Sequence, residues 1–219
     1  MQRIETISNE VSYEFDEVSI VYAFLKRTAD IIFSLIGIIL LIPIFIVVIA
    51  AIKIESKGSA IFVQDRIGYK GKKFKMYKFR SMVVDAEELK KSLMDQNEMG
   101  GPMFKMKNDP RVTKVGKFIR KTSIDELPQL INVLKGEMSL VGPRPSLPEE
   151  VEKFEPWMLA RLGVKPGLTC YWQVSGRNDI DFEEWMKLDI KYAKERSIFV
   201  DLKLIIKTFF VLFGDEHAC

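Results

Sequence analysis

Thr122–Pro145 reads TSIDELPQLINVLKGEMSLVGPRP, and the reading of its opening residues decides what the rest of the chain is for. Ser123 and Glu126 have the S-x-x-E spacing of a capping box, in which a hydroxyl and a carboxylate satisfy the orphan amides of a helix start. A cap at Asp125 instead moves Pro128 to the third helical position, where proline costs less. In both registers Leu127, Leu130, Ile131 and Leu134 supply an apolar stripe, and Lys135-Gly136 a helix stop. The same pair also has a chemical reading: Asp125 and Glu126 are adjacent carboxylates at a helix N-terminus, which favours their ionised form.

Outward from this block, the composition is uneven. The chain has 219 residues, enough for one well-buried domain, and is 47% hydrophobic, but its apolar residues are concentrated in Ile31–Ile52. That run carries no charge and has the length of a bilayer crossing, longer than the core of most signal peptides. Acidic residues Glu5, Glu10, Glu14, Asp16 and Glu17 precede it, which also argues against a cleaved leader and for a retained anchor. Lys26 and Arg27 lie before the run and Lys53 and Lys57 after it, so both flanks meet the positive-inside tendency. With Pro43 past the middle, this predicts a re-entrant helix, broken near Pro43, that returns to the face it entered. A tilted, kinked span is the alternative. Asp30 lies three residues after Arg27, the spacing of a helical ion pair.

The formal net charge of +3 does not mark a general nucleic-acid binder. Cys170 and Cys219 are too few for a disulfide framework, and the sole histidine, His217, lies at the end of the chain. Acid–base or nucleophilic chemistry therefore falls to carboxylates, lysines and hydroxyls, unless the tail folds back.

Ala60–Met82 has two β-prone pieces around Gly68–Gly71 and predicts a hairpin. Its bases, Arg66, Lys70, Lys72, Lys73, Lys75, Lys78 and Arg80, read either as a solvated face or as a surface for lipid head groups and phosphates. No nucleic-acid module accompanies them. Val84–Met94 predicts a helix, Gly100-Gly101-Pro102 a loop, and Ser146–Leu162 a further helix. Asp181 is placed to cap a helix through Asp189 and Tyr192. Ile198–Phe213 mixes Asp201, Lys203 and Lys207 with apolar residues, as an interfacial helix or a core helix would.

These pieces together set the fold class: α+β, mostly helical, with a small β-hairpin, an N-terminal membrane helix and interfacial amphipathic helices. The expected divisions are a polar acidic lead over 1–25, the anchor over 26–57, and a catalytic domain over 58–219.

KRTAD (Lys26–Asp30), the apolar run with its proline, YKFRSM (Tyr77–Met82), Asn108–Pro145, VKPGLT, QVSGRN (Gln173–Asn178) and the Asp189 and Tyr192 helix resemble the bacterial sugar transferases. More narrowly, they resemble the small monotopic phosphoglycosyl transferases that act on polyprenyl phosphate. The resemblance implies an active site at the cytoplasmic face of the bacterial inner membrane. It implies transfer of a sugar-1-phosphate from a uridine diphosphate (UDP) sugar to polyprenyl phosphate, with release of uridine monophosphate (UMP), as the first membrane step of a surface glycan.

On the same grounds Asp125 is the expected nucleophile, and Glu126 the expected holder of Mg²⁺. Arg120 matches the lipid-phosphate position; Arg144 and Arg177 are further phosphate candidates, followed by Lys78 and Arg80. Lys26, Arg27, Asp30 and Pro43 are the anchor residues. The chain departs from the pattern at Ile42-Pro43, where the family often has Ser-Pro, and at TCYWQV, where TGWAQV is usual. The resemblance implies the minimal form, without the multi-span region of longer relatives. The rival reading from another class is a non-catalytic, membrane-anchored scaffold whose hairpin binds anionic lipid.

Overall fold

In the computed structural model, residues 18–98, 102, 104, 106, 108–175 and 180–214 are described. Most of the acidic lead (1–17), Gly100-Gly101, Arg177, His217 and Cys219 lie outside the described residues.

Helix α1, Ile20–Glu55, begins where the Ser19 hydroxyl accepts from the Val21 amide and runs unbroken through Pro43. The expected break is therefore not seen as a loss of helix. At 1.5 Å per residue α1 is about 54 Å long, and only 11% of its most apolar window is buried. Ile31, Phe33, Ile39, Leu40, Ile46 and Val47 are among the apolar side chains left exposed on it.

Both halves of α1 are docked on the same body. Toward the N-terminus, Lys26 Nζ donates to Asp201 at 2.7 Å and to the Val141 carbonyl at 3.0 Å. Toward the C-terminus, Val48 and Ile52 pack with Phe79 and Ile119, and the Phe45 ring meets Phe79 edge-on. The expected Arg27–Asp30 pair does not form. Arg27 instead donates to the Val133 and Leu134 carbonyls, while buried Asp30 accepts from the Ser139 hydroxyl and the Leu140 amide. Partners contributed by the fold outcompete the neighbour one turn away, because a buried carboxylate must be fully hydrogen-bonded.

The hairpin forms as predicted. Strands β1 (Ile61–Ile67) and β2 (Lys73–Phe79) pair antiparallel, Ile61 opposite Phe79 and Ile67 opposite Lys73. Alternation along β2 turns Phe74 and Met76 inward to Val133 and Met138, and the same period turns Lys78 inward too. Helix α2 (Ala86–Ser92) follows, then α3 (Lys114–Lys121). The Thr113 hydroxyl caps α3, and the Glu55 carboxylate at the end of α1 accepts from its Lys114 and Val115 amides. A Cβ on Gly116 would lie 1.9 Å from the Ser81 carbonyl oxygen, so only glycine lets α3 approach this closely.

The segment after α3 is not the α-helical start read from the sequence. Ile124–Gln129 is a 3₁₀ helix, and Leu130–Lys135 continues as α4. Ser123 is left-handed (φ 56°) with no side-chain cap bond, so neither the Ser123 capping box nor a cap at Asp125 forms. Gly136 (φ 80°) ends α4 as expected. The buried face of α4 is Leu130, Asn132 and Val133, whereas Ile131 is exposed. Asn132 accepts from the Tyr77 amide and donates to the Lys75 carbonyl, fastening α4 to the free edge of β2.

Strand β3 (Ser139–Val141) pairs parallel with β4 (Gly167–Thr169), a pairing the sequence reading did not anticipate. The single helix expected over Ser146–Leu162 is replaced by a short α5 (Pro148–Val151) and a 3₁₀ turn (Pro156–Gly163), each opened by a proline. Helix α6 (Phe182–Glu195) is capped by Asp181, as predicted, and buries Trp185, Met186, Asp189 and Tyr192. Helix α7 (Ile198–Gly214) turns Asp201 and Leu204 inward and leaves Phe199, Leu202, Phe209 and Phe210 exposed, an amphipathic arrangement beside α1.

Gly116→Ala is expected to force α3 off Ser81 at a cost of about 1–3 kcal/mol, as overpacking does, read as a lower unfolding temperature in detergent.

Candidate active site

The 3₁₀ geometry that replaces the expected helix start sets the site. Ile124–Gln129 packs against β2, so Asp125 and Glu126 meet the inward-facing Lys78. Glu126 Oε1 accepts from Lys78 Nζ at 2.7 Å and from Arg144 at 3.0 Å, and Oε2 has no hydrogen-bond partner among the described residues. Lys78, Glu126 and Arg144 line a hollow with Gln129, Leu168 and Gln173. The two amides were not singled out from the sequence. Their one signal was position, Gln129 inside Thr122–Pro145 and Gln173 inside QVSGRN.

The adjacent carboxyls are driven in opposite directions. Burial opposes the charge of Glu126, but Lys78 and Arg144 outweigh it and hold this carboxyl far below the usual carboxylate range. Asp125 is 8% exposed and makes no hydrogen bond among the described residues. Burial first, and the Glu126 charge beside it, raise its pKa to about 6, against the pull of Lys78, Arg120 and Arg144. The expectation that a helix N-terminus favours the ionised form of Asp125 is thereby corrected: the group is buried, in a short 3₁₀ turn, and closer to neutrality. Opposite shifts on neighbouring carboxyls divide their roles, one fixed as an anion and one able to change state near neutral pH.

Arg120 is exposed at the end of α3 without a hydrogen-bond partner among the described residues, near enough that its charge acts on Asp125. The structure thus brings Lys78, Arg120 and Arg144 to the pair. Arg80 is elsewhere, its guanidinium donating to the Ser56 and Lys57 carbonyls at the end of α1. Lys26, Arg27 and Asp30 fasten α1 to the domain, and Pro43 lies within the helix.

The residues present fit Mg²⁺ in one respect: the ion is commonly held by one or two carboxylates plus substrate phosphates. Glu126 Oε2 and the unbonded Asp125 carboxylate are donors of that kind. Among the described residues no cluster of three or more acidic, histidine or cysteine side chains forms a protein-only metal cage.

The profile described as bacterial sugar transferase matches residues 21–215. The chain belongs to the bacterial sugar transferase family. A galactosyl transferase of Streptococcus agalactiae serotype III is 48% identical over 210 residues, covering 94% of this chain and 46% of the relative. The undecaprenyl-phosphate galactose phosphotransferase of Salmonella typhimurium is 46% identical over 199 residues, 89% of this chain and 42% of the relative. The chain thus spans under half the length of these two curated relatives. An exopolysaccharide production protein of Rhizobium meliloti is 39% identical over 187 residues, 84% of this chain and 83% of the relative.

The TCYWQV departure has a packing explanation in this member of the family. Cys170 is fully buried beside Tyr192 and Leu204, and Trp172 stacks on Trp185 with ring centroids 4.2 Å apart, seating the turn that carries Gln173.

The raised Asp125 pKa sets a sign for stability. Because the folded value, about 6, exceeds the ordinary ~3.9, the folded state keeps a proton that the unfolded chain loses between those values. Ionising Asp125 therefore costs stability progressively as pH rises toward about 6, and fully above it. Asp125→Asn is expected to melt at a higher temperature than the wild type at pH ~7.5, with the difference vanishing near pH ~4; thermal unfolding at the two pH values checks it.

Proposed function

We propose that the chain transfers a sugar-1-phosphate from a UDP-sugar to polyprenyl phosphate, undecaprenyl phosphate in bacteria, through a covalent aspartyl intermediate. One observation carries the reading: Asp125 and Arg120, neither with a hydrogen-bond partner among the described residues, lie beside a cation-held carboxylate, on a body docked along a long apolar helix. A lipid-binding scaffold needs cations, but it has no use for a buried acid whose ionisation costs stability. Relatives named as an undecaprenyl-phosphate galactose phosphotransferase and a UDP-galactose-lipid carrier transferase support the same reading.

In the proposed mechanism an Asp125 oxygen attacks the sugar-linked phosphorus. The bond to the UMP oxygen breaks, its electron pair leaves with UMP, and an acyl-phosphate sugar remains on Asp125. An oxygen of the lipid phosphate then attacks the same phosphorus, and the carboxylate leaves as it entered. The product is a polyprenyl diphosphate sugar. Lys78 and Arg144 orient Glu126 and add positive charge where the diphosphate collects, and Arg120, on the free side of the pair, receives the lipid phosphate. Mg²⁺ held by Glu126, with Asp125 adjacent, would supply neutralisation of the donor's diphosphate. Arg177 is a further phosphate ligand in this reading.

The catalytic unit follows the anchor from residue 58, and the anchor dips into one leaflet and returns, placing the site at the cytoplasmic face. In support, both halves of α1 contact one body, and both flanks of its apolar run are basic. The exposed apolar side chains of α7 lie in the same interface.

Membranes carrying the protein, given Mg²⁺, polyprenyl phosphate and a panel of UDP-sugars, are expected to release UMP with at least one sugar. Asp125→Asn is expected to release none. Release is expected to slow about tenfold per pH unit below about 6, as the nucleophile becomes protonated. Full turnover by the Asn variant rejects the nucleophile. Labels placed before Lys26 and after Lys57 are expected to react only from the cytoplasmic side, and labelling on opposite sides rejects re-entry.

A further inference from the structure

Pro143-Arg144-Pro145 carries the arginine that holds Glu126, and this turn has little means of holding itself. Neither proline has an amide hydrogen to donate. Its carbonyls are instead bound from outside, one after another. Pro143 accepts from the Gly167 amide at 2.9 Å, and Ser146 from the Ile67 amide at 2.9 Å. Between them, Arg144 accepts from Arg161 at 2.6 Å and Pro145 from Arg66 at 3.1 Å. Two donors in the series are thus buried guanidinium groups where ordinary backbone amides would be expected.

Arg161 is the more constrained of the two. It is 2% exposed, and its Nε and one terminal nitrogen both reach Asp189 on α6, at 3.0 and 2.6 Å. Its other terminal nitrogen donates to the Ser146 hydroxyl. One planar fork therefore joins the core of α6 to two residues of the turn, Arg144 and Ser146, a span that a single ammonium cannot make. Burying a guanidinium and a carboxylate costs free energy that apolar side chains of similar size avoid, so filling space does not account for the pair.

We infer that Arg161, braced by Asp189, is the positioning residue for Arg144, fixing the turn so that the Arg144 side chain meets Glu126. Arg66 supports the neighbouring carbonyl from the hairpin. The inference rests on the transfer reading for its effect on activity. The placement of Arg144 is a matter of geometry and is tested separately.

The test uses the full chain in detergent with three variants: Arg161→Lys, Ser146→Ala and Arg144→Ala. Arg161→Lys keeps a positive charge opposite Asp189 but loses the fork, and Ser146→Ala removes one arm should the lysine variant fold poorly. With a UDP-sugar that the wild type accepts, Arg161→Lys is expected to lower kcat/KM for UMP release on the order of ten- to hundredfold, the scale of a small misplacement in a site. Ser146→Ala should show a smaller loss. Each combined with Arg144→Ala should be no worse than Arg144→Ala alone, because they act through the same side chain. Losses that multiply overturn the inference.

With isotope-labelled arginine, the guanidinium resonance of Arg144, assigned by its loss in Arg144→Ala, should shift in Arg161→Lys or Ser146→Ala. If it stays put in both folded variants, the inference fails. This second arm needs no turnover, so it separates failure of the brace from failure of the proposed reaction.

Discussion

The rest of the structure depends on the polar contacts that pin the inward side of α1. An apolar helix of this length has no packing preference between lipid and protein, so its face against the domain must be specified by groups that lipid cannot satisfy. Lys26 with Asp201, Arg27 with the carbonyls at the end of α4, Asp30 with β3, and Glu55 with the start of α3 are those groups. The first three would be costly to bury alone, Glu55 is exposed, and each finds its partner on a different element. The helix thereby fixes the relative positions of α3, α4, β3 and α7, among them the two elements that flank Asp125 and Glu126.

A second constraint operates within the site. Glu126 is held as an anion by two cations, while Asp125, one residue away, has no hydrogen-bond partner among the described residues and is pushed toward neutrality by burial. The 3₁₀ turn makes this separation possible. With only three residues per turn and Pro128 inside it, the segment cannot direct both carboxylates to its own amides, as an α-helical cap would. The pair is left for partners across the fold.

Much of this was legible in the chain. Two β-prone pieces around Gly68–Gly71 gave the hairpin, and the Asp181 cap and Gly136 stop are local signals that tertiary contacts did not override. The acidic pair was visible with Arg120 and Arg144. What sequence rules missed were effects of distant partners. The Arg27–Asp30 spacing obeys a helix-surface rule, but both residues face the domain. Asn132 broke the apolar stripe because a strand edge needed its amide, and Arg80 left the basic set to bind carbonyls at the end of α1. The β3–β4 pairing could not be read because its strands are three residues each and lie far apart in sequence.

The Glu55 contact has a mechanical consequence. Its carboxylate grips the first amides of α3 at one end of α1, while Tyr22 and Lys26 grip Asp201 near the other. A helix held near both ends by one body cannot swing about either end alone, so α1 and the body move together. Any tilt of α1 is therefore shared by α3, the helix that carries Arg120.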